Sequence, residues 1–131
     1  ARIFDKNLKP ITKDFLVNTT TIGEQRNSKV LIDSKDNIIF LWENYKNFSY
    51  ATDNPSSISG QIFNNTGKKI GKEFQITTDT PSIKYNMVSK ILNDKIYITW
   101  EESRKKTDQI GENENISEVY YQVLNISELI S

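Results

Sequence analysis

The chain has 131 residues, of which 36% are hydrophobic and 26% are charged, and its 17 basic and 17 acidic side chains leave no net charge. This size fits one compact domain or a small set of repeats, and the neutral balance favours neither nucleic acid nor an anionic membrane as a partner. The lack of Cys and His excludes disulfide frameworks, zinc sites and most hydrolase triads, so we expect no metal and no cofactor.

Two short apolar segments, named C and D here, occupy the N-terminal part of the chain. Segment C covers residues 2–5 and segment D covers residues 13–20. A similar pair recurs 59 residues later, at residues 61–64 and 72–78. Because order, chemistry and spacing are all kept, the sequence indicates an internal repeat.

A further segment, B, predicts β-strands by its alternation. In residues 94–101, Ile96, Ile98 and Trp100 would share one face, as the two-residue period of a strand demands. The counterpart at residues 36–43 lies 58 residues earlier and is apolar on both faces, which is typical of a strand covered on both sides. Polar turns flank these segments, and the one helical turn that the sequence predicts is at residues 126–131.

The pattern predicts an all-β fold made of four-stranded antiparallel blades, as in a β-propeller, with about two repeats of about 60 residues. Residues 1–25 are assigned to a partial blade with strands C and D, residues 26–84 to one blade, and residues 85–131 to a blade without its last strand. A β-sandwich is the alternative. Two blades cannot close a ring, so we expect a longer array of repeats or several copies that assemble.

Residues 15–25, the strand that ends in Trp42 and Glu43, and residues 58–76 resemble a tandem repeat of very large microbial secreted and surface proteins. That repeat has the pattern F-x-V-N-T-T-x-x-x-Q, then W-x-S, then G-x-I-x-G-Q-x-F-x-x-x-G-x-x-x-G-x-E-F-x-V-N. The resemblance implies a propeller-like, extracellular, non-catalytic role as a scaffold or adhesin.

The chain departs from this pattern at several glycines. The first copy has Leu8 and Thr12 where the second copy has Gly67 and Gly71, and the last copy has Tyr121 in place of a glycine. The repeat is therefore degenerate.

Four aromatic residues are predicted to have structural roles because they occupy repeated strand positions. Trp42 and Trp100 end the two B segments, and Phe15 and Phe74 lie in the two D segments. A large ring at such a position packs between layers, although a Trp at a strand end can also stack on a sugar.

The connections between segments B and C, residues 44–57 and 102–118, are the candidate recognition loops, because equivalent loops of a repeat emerge on one side of an assembly. Tyr45, Phe48 and Tyr50 in the first loop and Arg104 in the second are the candidate ligand-binding residues. Aromatic side chains suit carbohydrate or protein contacts. Packing of the first loop against its own blade is the alternative role.

Carboxylates and asparagines supply the remaining candidates. Glu43, Glu101 and Glu102 follow the B segments and could form a glycosidase pair, but carboxylates repeated once per blade are typical of solvated strand ends, so we do not expect an enzyme. The Asp pairs of the turns offer too few oxygen ligands for Ca²⁺. Glycans could attach, in a competent host, at five sequons: Asn18, Asn47, Asn64, Asn115 and Asn125.

The leading hypothesis is a structural or adhesive repeat module of an extracellular or cell-surface protein. Its expected partners are itself or neighbouring repeats, with glycans or surface proteins as further candidates. The edges at residues 2–5 and 119–125 would be covered, because an uncovered edge invites aggregation. A lectin whose subunits complete a ring is the second hypothesis, and neither nucleic-acid binding nor membrane insertion is expected.

Overall fold

The computed structural model describes residues 1–46, 56–78, 80–107, 110–111 and 113–131. These residues form two antiparallel sheets, neither of which closes on itself, so the predicted all-β class is confirmed. The first sheet contains β1 (Glu24–Ile32), β2 (Ile38–Tyr45), β3 (Ser56–Phe63) and β4 (Lys69–Gln75). The second sheet contains β5 (Ile83–Leu92), β6 (Lys95–Thr107) and β7 (Asn113–Asn125), and the short helix α1 (Ile126–Leu129) follows it.

Three turns of the chain have the same hydrogen-bond geometry. In each, one side-chain oxygen accepts from the main-chain amides two and four residues later, at 2.8 to 3.0 Å. The three acceptors are Asp5, Asp33 and Asn64. The residue three positions after each acceptor has a positive φ: 62° at Leu8, 61° at Asp36 and 84° at Gly67. Asp and Asn are favoured there because their side chains bond the turn's own backbone.

The two sheets also share their ladder register. The first strand of each has a bulge at an asparagine with a φ of 53°, Asn27 in β1 and Asn86 in β5. Nδ2 of Asn27 donates to Glu43 at 2.8 Å, and Nδ2 of Asn86 donates to Glu101 at 3.0 Å. Equivalent residues of the two sheets are therefore 59 positions apart in β1 and β5, 58 in β2 and β6, and 61 in β3 and β7.

The apolar core lies between the two sheets. Ile39 and Leu41 of the first sheet are fully buried, and Tyr97, on the opposite face of β6 from the core, is exposed, as the alternation predicts. The remaining core side chains come from both sheets and from the helix: Ile58, Ile62, Ile76, Met87, Ile96, Ile98, Trp100 and Ile126.

The other face of the first sheet is covered by residues 1–23, which we call the N-terminal layer. The ring centroid of Phe15 lies 5.1 Å from that of Phe63, which in turn lies 5.6 Å from that of Phe40. In place of strands C and D the layer contains one isolated bridge, between Phe4 and Pro10. The molecule is therefore a stack of one irregular layer and two sheets.

The second predicted loop, residues 102–118, differs from expectation. β6 and β7 continue through it as a two-stranded ribbon, with Ser103 paired to Ser117 and Thr107 paired to Asn113. β5 begins opposite Ser103, so this ribbon extends beyond the rest of the sheet. No helix in the described part of the chain is long and apolar enough to cross a membrane.

Candidate functional site

Tyr45, a predicted ligand-binding residue, lies at the end of β2 and is buried between the sheets. Its hydroxyl donates to Oε2 of Glu43 at 3.0 Å, and the carbonyl of Lys84 lies within 3.3 Å. The guanidinium carbon of Arg26 lies 3.8 Å from the centre of the Tyr45 ring. Burial, reinforced by the Glu43 carboxylate, raises the pKa of Tyr45. The ring therefore belongs to an internal polar cluster.

Phe48 and Tyr50, the next two predicted residues, lie outside the described residues. The first described residue after them, Ser56, joins the two sheets. Its Oγ donates to the Lys84 carbonyl at 2.9 Å and accepts from the Lys84 amide at 2.5 Å, and its own amide donates to the Ser82 carbonyl at 3.0 Å. β3 therefore begins at the interface of the two sheets.

Arg104, the fourth predicted residue, lies on the exposed ribbon. Its Nη2 is 3.1 Å from Oε2 of Glu118, and the hydroxyl of Tyr120 donates to the same oxygen at 2.8 Å. That hydrogen bond raises the pKa of Tyr120. The Tyr120 ring stacks on Trp100 with centroids 6.0 Å apart. Arg104 and Tyr45, the two candidates that the structure describes, belong to different sheets and are not brought together.

A second buried polar cluster, which the sequence did not suggest, surrounds Lys84. Its Nζ donates to Oγ1 of Thr80 at 2.8 Å and to Oγ of Ser82 at 2.9 Å, and Ser82 donates to Glu102 at 2.6 Å. Burial disfavours the charged form of Glu102, but the bonds from Ser82, Trp100 and Thr80 and the charge of Lys84 together outweigh it and lower its pKa. The one available signal was the Ser/Thr-rich segment just before β5.

The two tryptophans are both buried, and their indole nitrogens have similar partners. Nε1 of Trp42 donates to Asn44 at 3.0 Å, and Nε1 of Trp100 donates to Glu102 at 3.4 Å. In each case the acceptor lies two residues further along the same strand. Both rings therefore contribute to packing, with their polar atoms bonded inside the chain.

Phe74 lies against the core and covers Gly60. A Cβ placed on Gly60 would be 2.6 Å from Cζ of Phe74 and 2.8 Å from Cδ2 of Leu41. Such distances are shorter than van der Waals contact, so the ring fits only because the residue beneath it is glycine.

The carboxylate of Glu43 is closed to solvent. Its Oε2 accepts from Nδ2 of Asn27 and from the hydroxyl of Tyr45, and the amide of Met87 donates to Oε1 at 3.4 Å. A glycosidase carboxylate must reach its substrate, and this one is occupied within the fold.

A groove of about 410 Å³ opens at the end of the first sheet where the β2–β3 connection begins. Several of its polar atoms are already bonded within the chain. Nδ2 of Asn44 donates to Ser59 at 2.7 Å, and Oε2 of Glu73 accepts from the amide of Thr19 at 2.6 Å. A second cavity, of about 420 Å³, lies between the N-terminal layer and the side chains of Phe40 and Trp42.

The sequons differ in whether the side-chain amide of the Asn is already hydrogen-bonded within the chain and in how exposed the residue is. Nδ2 of Asn18 donates to the carbonyl of Thr20 at 2.8 Å, and Nδ2 of Asn125 donates to Glu128 at 2.9 Å. Asn64 forms a turn, Asn115 is exposed, and Asn47 lies outside the described residues. Asn115 is therefore the most accessible of the four that the structure describes.

The second sheet presents an exposed apolar face on the side away from the core, which we call the outer face. Val119 and Tyr121 of β7 are 75% and 77% exposed. The further exposed apolar members of this face are Val88, Leu92, Tyr97 and Val123.

β7 is also an edge strand. Its counterpart β3 pairs with β4, whereas the ladder of the second sheet ends at β7. In β3 the amide of Ile58 donates to Oγ1 of Thr77, and its carbonyl accepts from the amide of Ile76. Both partners lie just after the end of β4. Ile58 corresponds in register to Val119, so the main-chain groups of Val119, Tyr121 and Val123 point out of the sheet.

Among the residues that the structure describes, no three Asp or Glu side chains lie close enough together to hold a metal ion. Comparisons with protein-family models, curated proteins and solved structures found no match for this chain.

Proposed function

We propose that the chain is a non-catalytic structural or adhesive module of an extracellular or cell-surface protein, which assembles with neighbouring repeats or subunits through open sheet edges. The free edge of β7 is the observation that carries this proposal. An edge strand presents unpaired amides and carbonyls, and a further strand can add to them.

The blade-like organisation supports the same proposal. Each sheet is a simple antiparallel meander, and the two stack with equivalent residues in equivalent register. In a propeller, successive blades stack in this way around an axis. On this interpretation the second sheet is a blade whose fourth strand comes from elsewhere.

Tyr121 determines which strand fits the edge. In the first sheet the Phe74 ring lies over Gly60, and in the second sheet the ladder position of Gly60 is occupied by Tyr121. If the added strand carried a large ring opposite Tyr121, that ring would collide with the Tyr121 side chain. The added strand therefore carries a small residue there.

A donor peptide tests the open edge. The peptide has the sequence of residues 69–77 with Phe74→Gly, and amide exchange is followed by NMR. We expect exchange to slow at Val119, Tyr121 and Val123 and to stay constant at Tyr120 and Gln122, whose amides face β6. The unmodified peptide is the matched control and should bind more weakly.

The protein variant Val123→Pro removes one outward amide and leaves the hydrogen bonds to β6 in place. It should therefore bind the Phe74→Gly peptide more weakly than the wild-type protein does. If saturating peptide leaves the three outward amides unprotected, the proposal of an assembling edge is wrong.

A lectin is the second candidate function, and the groove beside the β2–β3 connection favours it. The groove is lined by Ser57, by the exposed Lys46 and by Asn44, whose side-chain amide donates to Ser59, and the buried Tyr45 also lines it. Sugars are recognised by such polar groups next to an aromatic ring. A glycan array with the wild type and the variant Asn44→Ala tests this function, and silence of the wild type would exclude it.

A further inference from the structure

The outer face of the second sheet has a buried counterpart in the same molecule. Its ladder positions Tyr97, Thr99 and Tyr121 correspond to Ile39, Leu41 and Gly60 of the first sheet. Val119 and Val123 likewise correspond to Ile58 and Ile62, both fully buried. The second sheet covers that face of the first sheet, but no described part of the chain covers the equivalent face of the second sheet.

The opposite end of the stack has the complementary feature. Ile3 and Phe15 of the N-terminal layer face the first sheet, whereas the following residues, Phe4 and Leu16, are 49% and 64% exposed. We call Phe4 and Leu16 the N-terminal outer side.

Phe4 corresponds to Phe63 at the spacing of 59 residues, and the matching turn geometry supports this equivalence. Phe63 is the residue that the preceding layer covers, through the ring of Phe15. No described ring packs on Phe4 in the same way, and the guanidinium carbon of Arg2 lies 6.0 Å from the centre of its ring.

We propose that the outer face of the second sheet binds the N-terminal outer side of a second copy of this chain, so that copies stack head to tail. Tyr121 of one copy then supplies the ring that covers Phe4 of the next. This continues across two molecules the packing that Phe15 and Phe63 make within one. This proposal rests on the proposed function and identifies the partner of the module as a second copy of the same chain.

Two features of the chain suit this arrangement. The net charge of zero leaves no overall repulsion between copies. The two surfaces are different and lie at opposite ends of the molecule, so the contact is heterologous. After every addition the assembly still has one free outer face and one free N-terminal outer side.

Complementary variants test the head-to-tail contact by sedimentation. The face variant carries Val119→Lys and Tyr121→Lys, and the N-terminal variant carries Phe4→Lys and Leu16→Lys. We expect the wild type to gain mass as its concentration rises to about 1 mM, and each variant alone to associate at least about tenfold more weakly.

A mixture of the two variants is the decisive sample. The face variant keeps its N-terminal outer side and the N-terminal variant keeps its outer face, so the mixture should form a 1:1 dimer that cannot grow. The control Val30→Lys with Ile32→Lys alters two other exposed apolar residues and should assemble like the wild type.

A wild type that stays monomeric at about 1 mM overturns the proposal. So does a mixture without a dimer, and so does an N-terminal variant that dimerises alone, because this would indicate symmetric pairing of the outer faces. Circular dichroism verifies folding, and Ser at the same positions replaces Lys if either chain unfolds. Protection of the β7 amides by the donor peptide needs no second copy, so the proposed function can survive failure here.

Discussion

Position 60 and its counterpart 121 account for much of the difference between the two sheets. Gly60 leaves room for the Phe74 ring on a face that is buried, whereas Tyr121 places a ring of its own on a face that is exposed. The same ladder position thus serves internal packing in one sheet and is available for an external contact in the other.

Gly60→Ala should destabilise the fold by about 1–3 kcal/mol, because the new methyl group would overlap Phe74 and Leu41 in a packed core. Denaturant unfolding measures the change. Adding Phe74→Leu should recover part of the loss, since the two residues are in contact. An unchanged midpoint for Gly60→Ala would show that the ring moves aside freely.

Glu102 links stability to acid pH. Its pKa is lower in the folded chain than in the unfolded chain, so its contribution is present above the unfolded value of about 4.3 and is lost as the pH falls through the folded value. We expect Glu102→Gln to flatten the acid limb of the stability curve. The exposed Glu114→Gln is the control, and parallel curves for wild type and Glu102→Gln would contradict this assignment.

At the scale of elements, the N-terminal layer contacts the first sheet through the ring of Phe15 and through hydrogen bonds such as that from the Thr19 amide to Glu73. Phe15→Ala should release this layer and leave both sheets folded, because the ladders do not involve residues 1–23. The expected cost is below the about 3–5 kcal/mol typical of a fully buried Phe, since Phe15 is half-buried.

Limited proteolysis checks this prediction: cleavage within residues 6–23 should become faster, while cleavage within the sheets should not. Ile11→Ala, at an exposed position of the same layer, is the control. Equal acceleration of cleavage in both sheets would mean that the layer is part of one cooperative unit.

The strands could be predicted where side chains alternate or turns carry Asx residues. The alternation of Ile96, Ile98 and Trp100 identified β6, and Asn64 identified the turn before β4. The ribbon at residues 104–107 could not be predicted this way, because its charged residues lack an apolar face and its strands are held by main-chain pairing.

Parts of the candidate sites were not predicted for a different reason. Tyr45 continues the inward series of Ile39, Leu41 and Glu43, so its burial could have been found by extending the alternation by two residues. Lys84 could not, because charged residues are rarely buried and its partners come from another strand and from the segment before β5.

At the scale of the whole molecule, the proposed contact joins two unlike ends of the stack. Contacts of this kind close into rings when the rotation between copies allows it and otherwise grow into filaments.

The apolar character of both ends predicts how solvent affects assembly. Raising NaCl from about 0.05 to 0.5 M should change the association constant little, because the four side chains assigned to the contact, Val119, Tyr121, Phe4 and Leu16, are uncharged, whereas sulfate should strengthen association by favouring apolar burial. Sedimentation at several salt concentrations measures this. A steep loss of association with NaCl would indicate that charged groups such as Arg104 and Glu118 carry the contact instead.

The neighbour-to-neighbour order of the strands has a consequence for how the molecule forms. In the described part of the chain, each ladder joins strands that are consecutive in the sequence, β1 to β4 and then β5 to β7. Closing short loops costs little entropy, so each meander can form from local contacts, and only the docking of one meander on the other brings distant residues together. Refolding kinetics should therefore be limited by that docking step, at which the amide of Ser56 meets the carbonyl of Ser82.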